Sequence, residues 1–241
     1  MKKAVLLLSY GSLNAERLVE KYESVLQSLK EKYKGYDFYL TYSSKKIHEE
    51  HENIHKNPRE KVLQLKEEGY GEILVVPALL FFGTNYTDLK EVLSGFHIPI
   101  GVPLLSLKEN IDLFLKSYSK TEGKLLLIAH RPASSEGEKQ VLEINRYLKK
   151  KCPSMQIFFF SPIEEKEIYD FLGEDNKASL YPLFVYSNYH LTKDILYPKS
   201  PLNKILCKKH NIKFIGKTLI DEPFFIEMIL HSIEKLKKSL L

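Results

Sequence analysis

The sequence predicts an α/β fold built twice: two similar lobes of parallel sheet flanked by helices, with a ligand crevice between them. Three observations carry this reading. Short aliphatic runs alternate with amphipathic helical stretches, the pattern of parallel sheets covered on both faces. The pieces of the first half recur in the same order in the second. The chain has 241 residues, 44% hydrophobic and 28% charged, enough for two lobes with cores of their own.

The first strand is the apolar run Ala4–Leu8, which breaks at Ser9-Tyr10-Gly11-Ser12. Its counterpart is Gly123–Arg131, ending in Ala129-His130-Arg131, with Tyr10 and His130 offset by 120. A helical pattern follows each: Leu18, Tyr22, Val25, Leu26 and Leu29 share one face, as do Val141, Ile144, Tyr147 and Leu148. Second strands fall at Phe38–Tyr42 and Ile157–Phe160. Next come two matching helix starts, Asn57-Pro58-x-Glu60 and Ser161-Pro162-x-Glu164, offset by 104. Both helices stop at a glycine, Gly69 and Gly173. Third strands are Ile73–Pro77 and Ser179–Pro182, with prolines offset by 105, and fourth strands are Ile100–Leu105 and Ile215–Ile220, offset by 115. The expected lobes are residues 1–120 and 121–241, with a terminal helix, Pro223–Leu240, packed across the outside. Ligands of such folds bind beyond the carboxyl ends of the strands.

Composition excludes several classes. The net charge is +5, with 17 basic and 16 acidic residues through Lys120 and 19 and 15 after it. That balance is too mild and too even for a nucleic-acid surface, although it suits a small anionic ligand. No apolar run reaches the roughly 20 residues that span a bilayer, and the first run lacks a cleavage site. A cytoplasmic protein with no membrane association is expected. Two cysteines, Cys152 and Cys207, exclude a disulfide scaffold or a cysteine-rich metal site.

Four places could carry chemistry. His130 directly follows a buried strand, where an imidazole serves as proton acceptor or metal ligand, or as a hydrogen-bonded structural group. His190 stands at the corresponding edge after the third strand of the second lobe, and Asp194, four residues on, could orient its ring. In the first lobe Asn85 occupies the equivalent place; an amide can bind or orient but takes no proton. His51-Glu52-Asn53-Ile54-His55 spells the zinc-protease H-E-x-x-H. Its flanks are polar almost all round and Pro58 ends it, so a solvated connection is the better reading.

Taken in order, these pieces resemble the anaerobic cobalt chelatases of cobalamin biosynthesis, the sirohydrochlorin cobaltochelatase (class II chelatase) family, over nearly the whole chain. The similar segments are Leu7-Leu8-Ser9-Tyr10-Gly11-Ser12, Tyr42-Ser43-Ser44, Leu65–Gly69, Gly101-Val102-Pro103-Leu104-Leu105-Ser106, Pro182-Leu183 and the His190…Asp194 spacing. The resemblance implies insertion of Co²⁺, or Fe²⁺ or Ni²⁺, into sirohydrochlorin or a related anionic tetrapyrrole. It assigns His130 and His190 as metal ligands and proton acceptors, with Asp194 orienting. Ser9, Tyr10, Gly11, Asn85 and Arg131 would line the substrate, with Lys193 a further carboxylate partner by position. No prosthetic group is implied, since the metal is a substrate, and association into a homo-oligomer is left open. The chain departs from the family at Ala129-His130-Arg131, where Gly-His-Gly is usual. It also has Asn85 for an acidic residue, Leu80 for a histidine, and Asn188-Tyr189 for Gly-Asp. These departures motivate an alternative, a non-catalytic tetrapyrrole- or metal-binding relative. A zinc hydrolase using His51, Glu52 and His55 is the third reading.

Overall fold

In a computed structural model, which describes residues 1–10, 15–43, 56–174, 177–186, 195, 197, 200, 202, 204 and 211–240, the first aliphatic run forms β1 (Lys2–Ser9). Ala4 through Leu8 are wholly buried. A central strand covered on both faces has no solvent side, so its sequence does not alternate. β2 (Asp37–Tyr42) and β3 (Tyr70–Pro77) pair with it in parallel, in the order β2-β1-β3. The second sheet repeats the plan with β4 (Lys124–Ala129), β5 (Met155–Phe159), β6 (Lys177–Pro182) and β7 (Asn211–Phe214), in the order β5-β4-β6-β7. The helices of the first half are α1 (Ala15–Lys32), α2 (Pro58–Glu67), α3 (Thr84–Leu93) and α4 (Lys108–Tyr118). Those of the second are α5 (Ser135–Lys151), α6 (Glu165–Leu172) and α7 (Phe224–Lys238).

The duplication is visible in single hydrogen bonds. Ala78 donates its N–H to Leu8 O at 2.7 Å, and Leu183 donates to Ile128 O at 2.8 Å. Leu104 and Leu105 donate to Leu79 and Leu80 O at 2.7 and 3.2 Å; Leu219 and Ile220 donate to Phe184 and Val185 O, both at 2.9 Å. Each pair obeys the offsets read from the sequence.

Two helix starts that look alike in sequence behave differently. At α2 the expected capping box forms: Asn57 Oδ1 accepts from Glu60 N–H at 3.0 Å and the Glu60 carboxylate accepts from Asn57 N–H at 3.2 Å. After Ser161-Pro162, α6 begins only at Glu165, and Glu164 makes no capping bond. Its carboxylate is engaged by Arg131 instead. Gly69 and Gly173 do end their helices at positive φ, 85° and 58°.

The fourth strands also require correction. In the first half only Ile100 bridges to Val75, with Val75 N–H donating to Pro99 O at 2.9 Å and Gly101 N–H to Val75 O at 2.8 Å. Pro99 and Pro103 carry no N–H, so the ladder cannot lengthen, and the chain curls into a 3-10 turn at Leu104–Ser106. In the second half the strand is Asn211–Phe214, before the expected Ile215–Ile220. Ile215 N–H still donates to Leu180 O at 2.8 Å. Thr218 and Asp221 then bond each other's backbone and close a second 3-10 turn.

The chain separates into two compact units, Met1–Asn110 with Pro223–Leu241, and Ile111–Glu222. This differs from a division at 120/121 in one respect: the helix following each sheet covers the other sheet's unit. α7 packs on β3 and α1, burying Phe225, Met228, Ile229 and Ile233 completely. Most of α4 belongs to the second unit, where the Phe114 and Tyr118 rings lie 5.1 and 5.0 Å from Tyr181 and Tyr118 donates to the Glu222 carboxylate. Within the first unit, buried Asn110 donates its amide to Leu104 O at 2.9 Å and Met228 O at 3.2 Å, and its Oδ1 meets His231 Nδ1 at 3.0 Å.

A polar network fastens the other end of α7. Tyr33 donates to Glu234 at 2.6 Å, Lys237 donates to the Tyr33 hydroxyl at 3.0 Å, and the Lys237 ammonium lies over the Tyr33 and Tyr36 rings. Tyr36 donates to Glu72, which also pairs with Lys3 at 2.7 Å. Burial would raise the Glu72 carboxyl, but these partners, with Lys237, hold it below the ordinary glutamate range. A lowered carboxyl pKa stabilises the fold above the ordinary carboxylate range, and that contribution is lost as the pH falls through the folded value. Glu72→Gln should therefore flatten the acid side of a thermal-midpoint-against-pH curve; an unchanged acid slope would refute this role.

Candidate active site

β4 runs buried to Ala129, and the next residue, His130, is exposed. The strand delivers the imidazole to the carboxyl end of the sheet while its own packing holds the backbone. His130 Nδ1 lies 2.8 Å from the carbonyl oxygen of Arg131. A carbonyl only accepts, so Nδ1 carries a proton, and in the neutral form of the ring the lone pair is on Nε2. The Phe160 ring stands edge-on to the imidazole at 5.3 Å and itself packs near Phe184 at 6.2 Å, an apolar wall beside a polar ring. Phe160 is placed by its own N–H, which donates to Ala129 O at 3.3 Å.

Arg131 does not reach outward. Its guanidinium bonds Glu138 on α5 at 3.1 Å and Glu164, just before α6, at 2.5 Å, and it lies 4.6 Å over the Phe159 ring. Its charge is compensated within the unit. Burial and a hydrogen bond to Glu164 raise the Glu167 carboxyl above its ordinary range, against the opposing pull of Arg131. One guanidinium thus sits among three carboxylate side chains, beside the histidine.

In the first unit the equivalent strand end carries Ser9 and Tyr10. Ser9 is buried, and its carbonyl accepts from Ser43 N–H at 2.9 Å. Beneath it lie Tyr22 and Tyr42, whose phenols burial pushes above their ordinary range. Tyr10, by contrast, is 54% exposed. By the hydrogen bonds of Ala78 and Leu183, Tyr10 occupies in its unit the place that His130 occupies in the other. Asn85 is half-buried in the first turn of α3, whose N-terminus has Gly83 and no side-chain cap. Leu80 is half-buried, its carbonyl taken by Leu105.

A family model for the cobalt chelatase CbiK matches residues 3–197. The chain belongs to the cobalt chelatase family. No curated protein sequence matches it significantly. Among solved structures, SirB from Bacillus subtilis with Fe³⁺ superposes with a TM-score of 0.71 at 15% identity, covering 98% of this chain and 96% of that one. The sirohydrochlorin chelatase SirB from Bacillus subtilis subspecies spizizenii in complex with cobalt gives 0.72 at 14% identity, covering 99% and 97%. At such identities these likenesses establish the shared α/β fold.

Of the residues expected to serve this chelatase chain, Ser9, Tyr10, Asn85, His130 and Arg131 stand as described. Gly11, His190, Lys193 and Asp194 lie outside the described residues, as does the His51-Glu52-Asn53-Ile54-His55 segment. Sequence reasoning missed Glu138 and Phe160 as neighbours of the site and took Glu164 for a capping residue. Phe160 carried a usable signal, because it follows a strand at the same edge as His130. The two glutamates carried none, since only the fold brings residues 131, 138 and 164 together. Among the described residues no helix is long and apolar enough to cross a membrane, and no three His, Cys, Asp or Glu side chains are grouped to hold a metal.

Proposed function

We propose that the protein inserts a divalent metal into sirohydrochlorin or a related anionic tetrapyrrole, with Co²⁺ the first candidate and Fe²⁺ and Ni²⁺ next, in the cytoplasm and in anaerobic cobalamin biosynthesis. The observation that carries the reading is His130: an exposed imidazole at a buried strand's end, its Nδ1 proton committed to a carbonyl and its lone pair on Nε2. Membership of the cobalt chelatase family supplies the reaction class.

The chemistry asks little more of the protein. A macrocycle that takes up M²⁺ must release two pyrrole protons. A neutral imidazole can hold the incoming cation by Nε2, or accept one of those protons there and pass it to water. A metal in transit needs no closed protein cage, because the four macrocyclic nitrogens become its ligands. His190 is the proposed second ligand and base, with Asp194 orienting it. Tyr10, exposed at the matching strand end, would offer a ring face to the macrocycle, and Asn85 and Gly11 would bond its periphery. Ser9 and Arg131, one buried and the other neutralised, would serve the site through the backbone they hold.

The test is anaerobic absorbance of sirohydrochlorin mixed with Co²⁺, Fe²⁺ or Ni²⁺, with and without protein. Conversion well above the spontaneous rate with at least one metal is expected. No acceleration by any of them overturns the reading; if the tetrapyrrole spectrum nevertheless shifts on binding, the protein is a carrier on a chelatase fold.

A further inference from the structure

We infer that Arg131 is a positioning residue whose side chain holds His130 in its Nδ1–H form. The inference rests on the reading of His130 as the working residue. Among the described residues, Arg131, Pro132 and Ala133 make no backbone–backbone hydrogen bond, and the next fixed point is Ser134, which caps α5 by accepting from Gly137 N–H at 3.1 Å. Nothing in the ladder therefore dictates where the Arg131 carbonyl points, yet it points at the preceding imidazole at 2.8 Å. What fixes that peptide is the side chain. The guanidinium is gripped by Glu138 at 3.1 Å and Glu164 at 2.5 Å and lies over Phe159 at 4.6 Å. Those contacts tie it to α5, to the segment before α6 and to β5. Pro132 narrows the conformations on the other side.

A planar guanidinium suits this task because it bonds two carboxylates in fixed directions while stacking on a ring; an ammonium keeps the charge but fixes no direction. A carbonyl acceptor on Nδ1 sets which nitrogen can bind metal or take a proton, as outer partners of ligating histidines do elsewhere. Arginine stands here where the family usually has glycine, so this chain holds its histidine by a side chain. The two glutamates that hold the arginine belong to the same device.

The test compares wild type with Arg131→Ala, Arg131→Lys and Glu164→Gln. Imidazole ¹⁵N shifts of histidine-labelled protein are recorded at alkaline pH, with His130→Ala assigning the resonance. Wild type should show His130 with the proton on Nδ1. Arg131→Ala should move the population toward the Nε2–H form and lower kcat about 10-fold with KM for the tetrapyrrole unchanged. Arg131→Lys should restore part of both. Glu164→Gln, which leaves the arginine in place, should shift both in the same direction and keeps the test open if Arg131→Ala misfolds. A folded Arg131→Ala protein that keeps the Nδ1–H form overturns the inference, whatever its rate. The tautomer is read without turnover, so a failure of the proposed function is distinguishable from a failure of this one.

Discussion

Replacing His130 by alanine should cut enzyme-dependent metal insertion by about 10²–10⁴-fold, the range typical of a lost general base. The substitution removes the only described imidazole at the carboxyl end of the second sheet. His97 follows a 3-10 turn at Ser94–Phe96 of the first unit, and His231 is bonded to Asn110 on α7. The fold should not suffer, because the ring is exposed and β4 is held by its neighbours. Tetrapyrrole binding, read from the spectral shift, should survive, so that the loss falls on kcat. The measurement is the anaerobic insertion rate beside a binding titration and a thermal melt. A His130→Ala enzyme within about threefold of wild type, with an unchanged melt, would remove His130 from the reaction.

Deleting residues 223–241 should unfold the first unit while the second stays folded. α7 buries Phe224, Phe225, Met228, Ile229, Ile233 and Leu236. At about 1.5–3 kcal/mol for each large apolar side chain, their loss amounts to about 9–18 kcal/mol, at least comparable with the whole stability of a domain. Asn110 would lose Met228 O and His231 as partners, and Tyr33 would lose Glu234 and Lys237. Amide exchange decides the matter: Leu6, Leu7 and Leu8 should lose protection in the truncated chain, whereas Leu126, Leu127 and Ile128 should keep theirs. Protected β1 amides after truncation would show that the first sheet does not depend on this helix.

Much of this architecture was legible because it is local. Ala4–Leu8 and Leu125–Ala129 read as buried strands from their unbroken apolar runs, and Asn57-Pro58-x-Glu60 read as a capped start because its partners are three residues apart. His130 was legible for the same reason, as a polar residue at the end of such a run. The fourth strands misled, because Ile100–Leu105 and Ile215–Ile220 have strand-forming residues but lack the donors or straightness that a ladder needs. Ser161-Pro162-x-Glu164 misled because Glu164 is claimed by Arg131, 33 residues away. The destination of α7 is set by contacts with β3 and Asn110, more than a hundred residues earlier, and no spacing rule reaches that far.

The traded helices have a consequence for how such a chain could have arisen. A half-length polypeptide with the plan of residues 1–118 would end in a helix built to cover somebody else's sheet. Alone it would expose an apolar stripe on the helix and a bare strand on the sheet. Two identical copies would cure both defects at once, each lending its last helix to the other, and the smallest self-sufficient form would be a pair. Joining those copies in one gene keeps the loan permanent and frees the twin strand ends to diverge, until one presents a phenol and the other an imidazole.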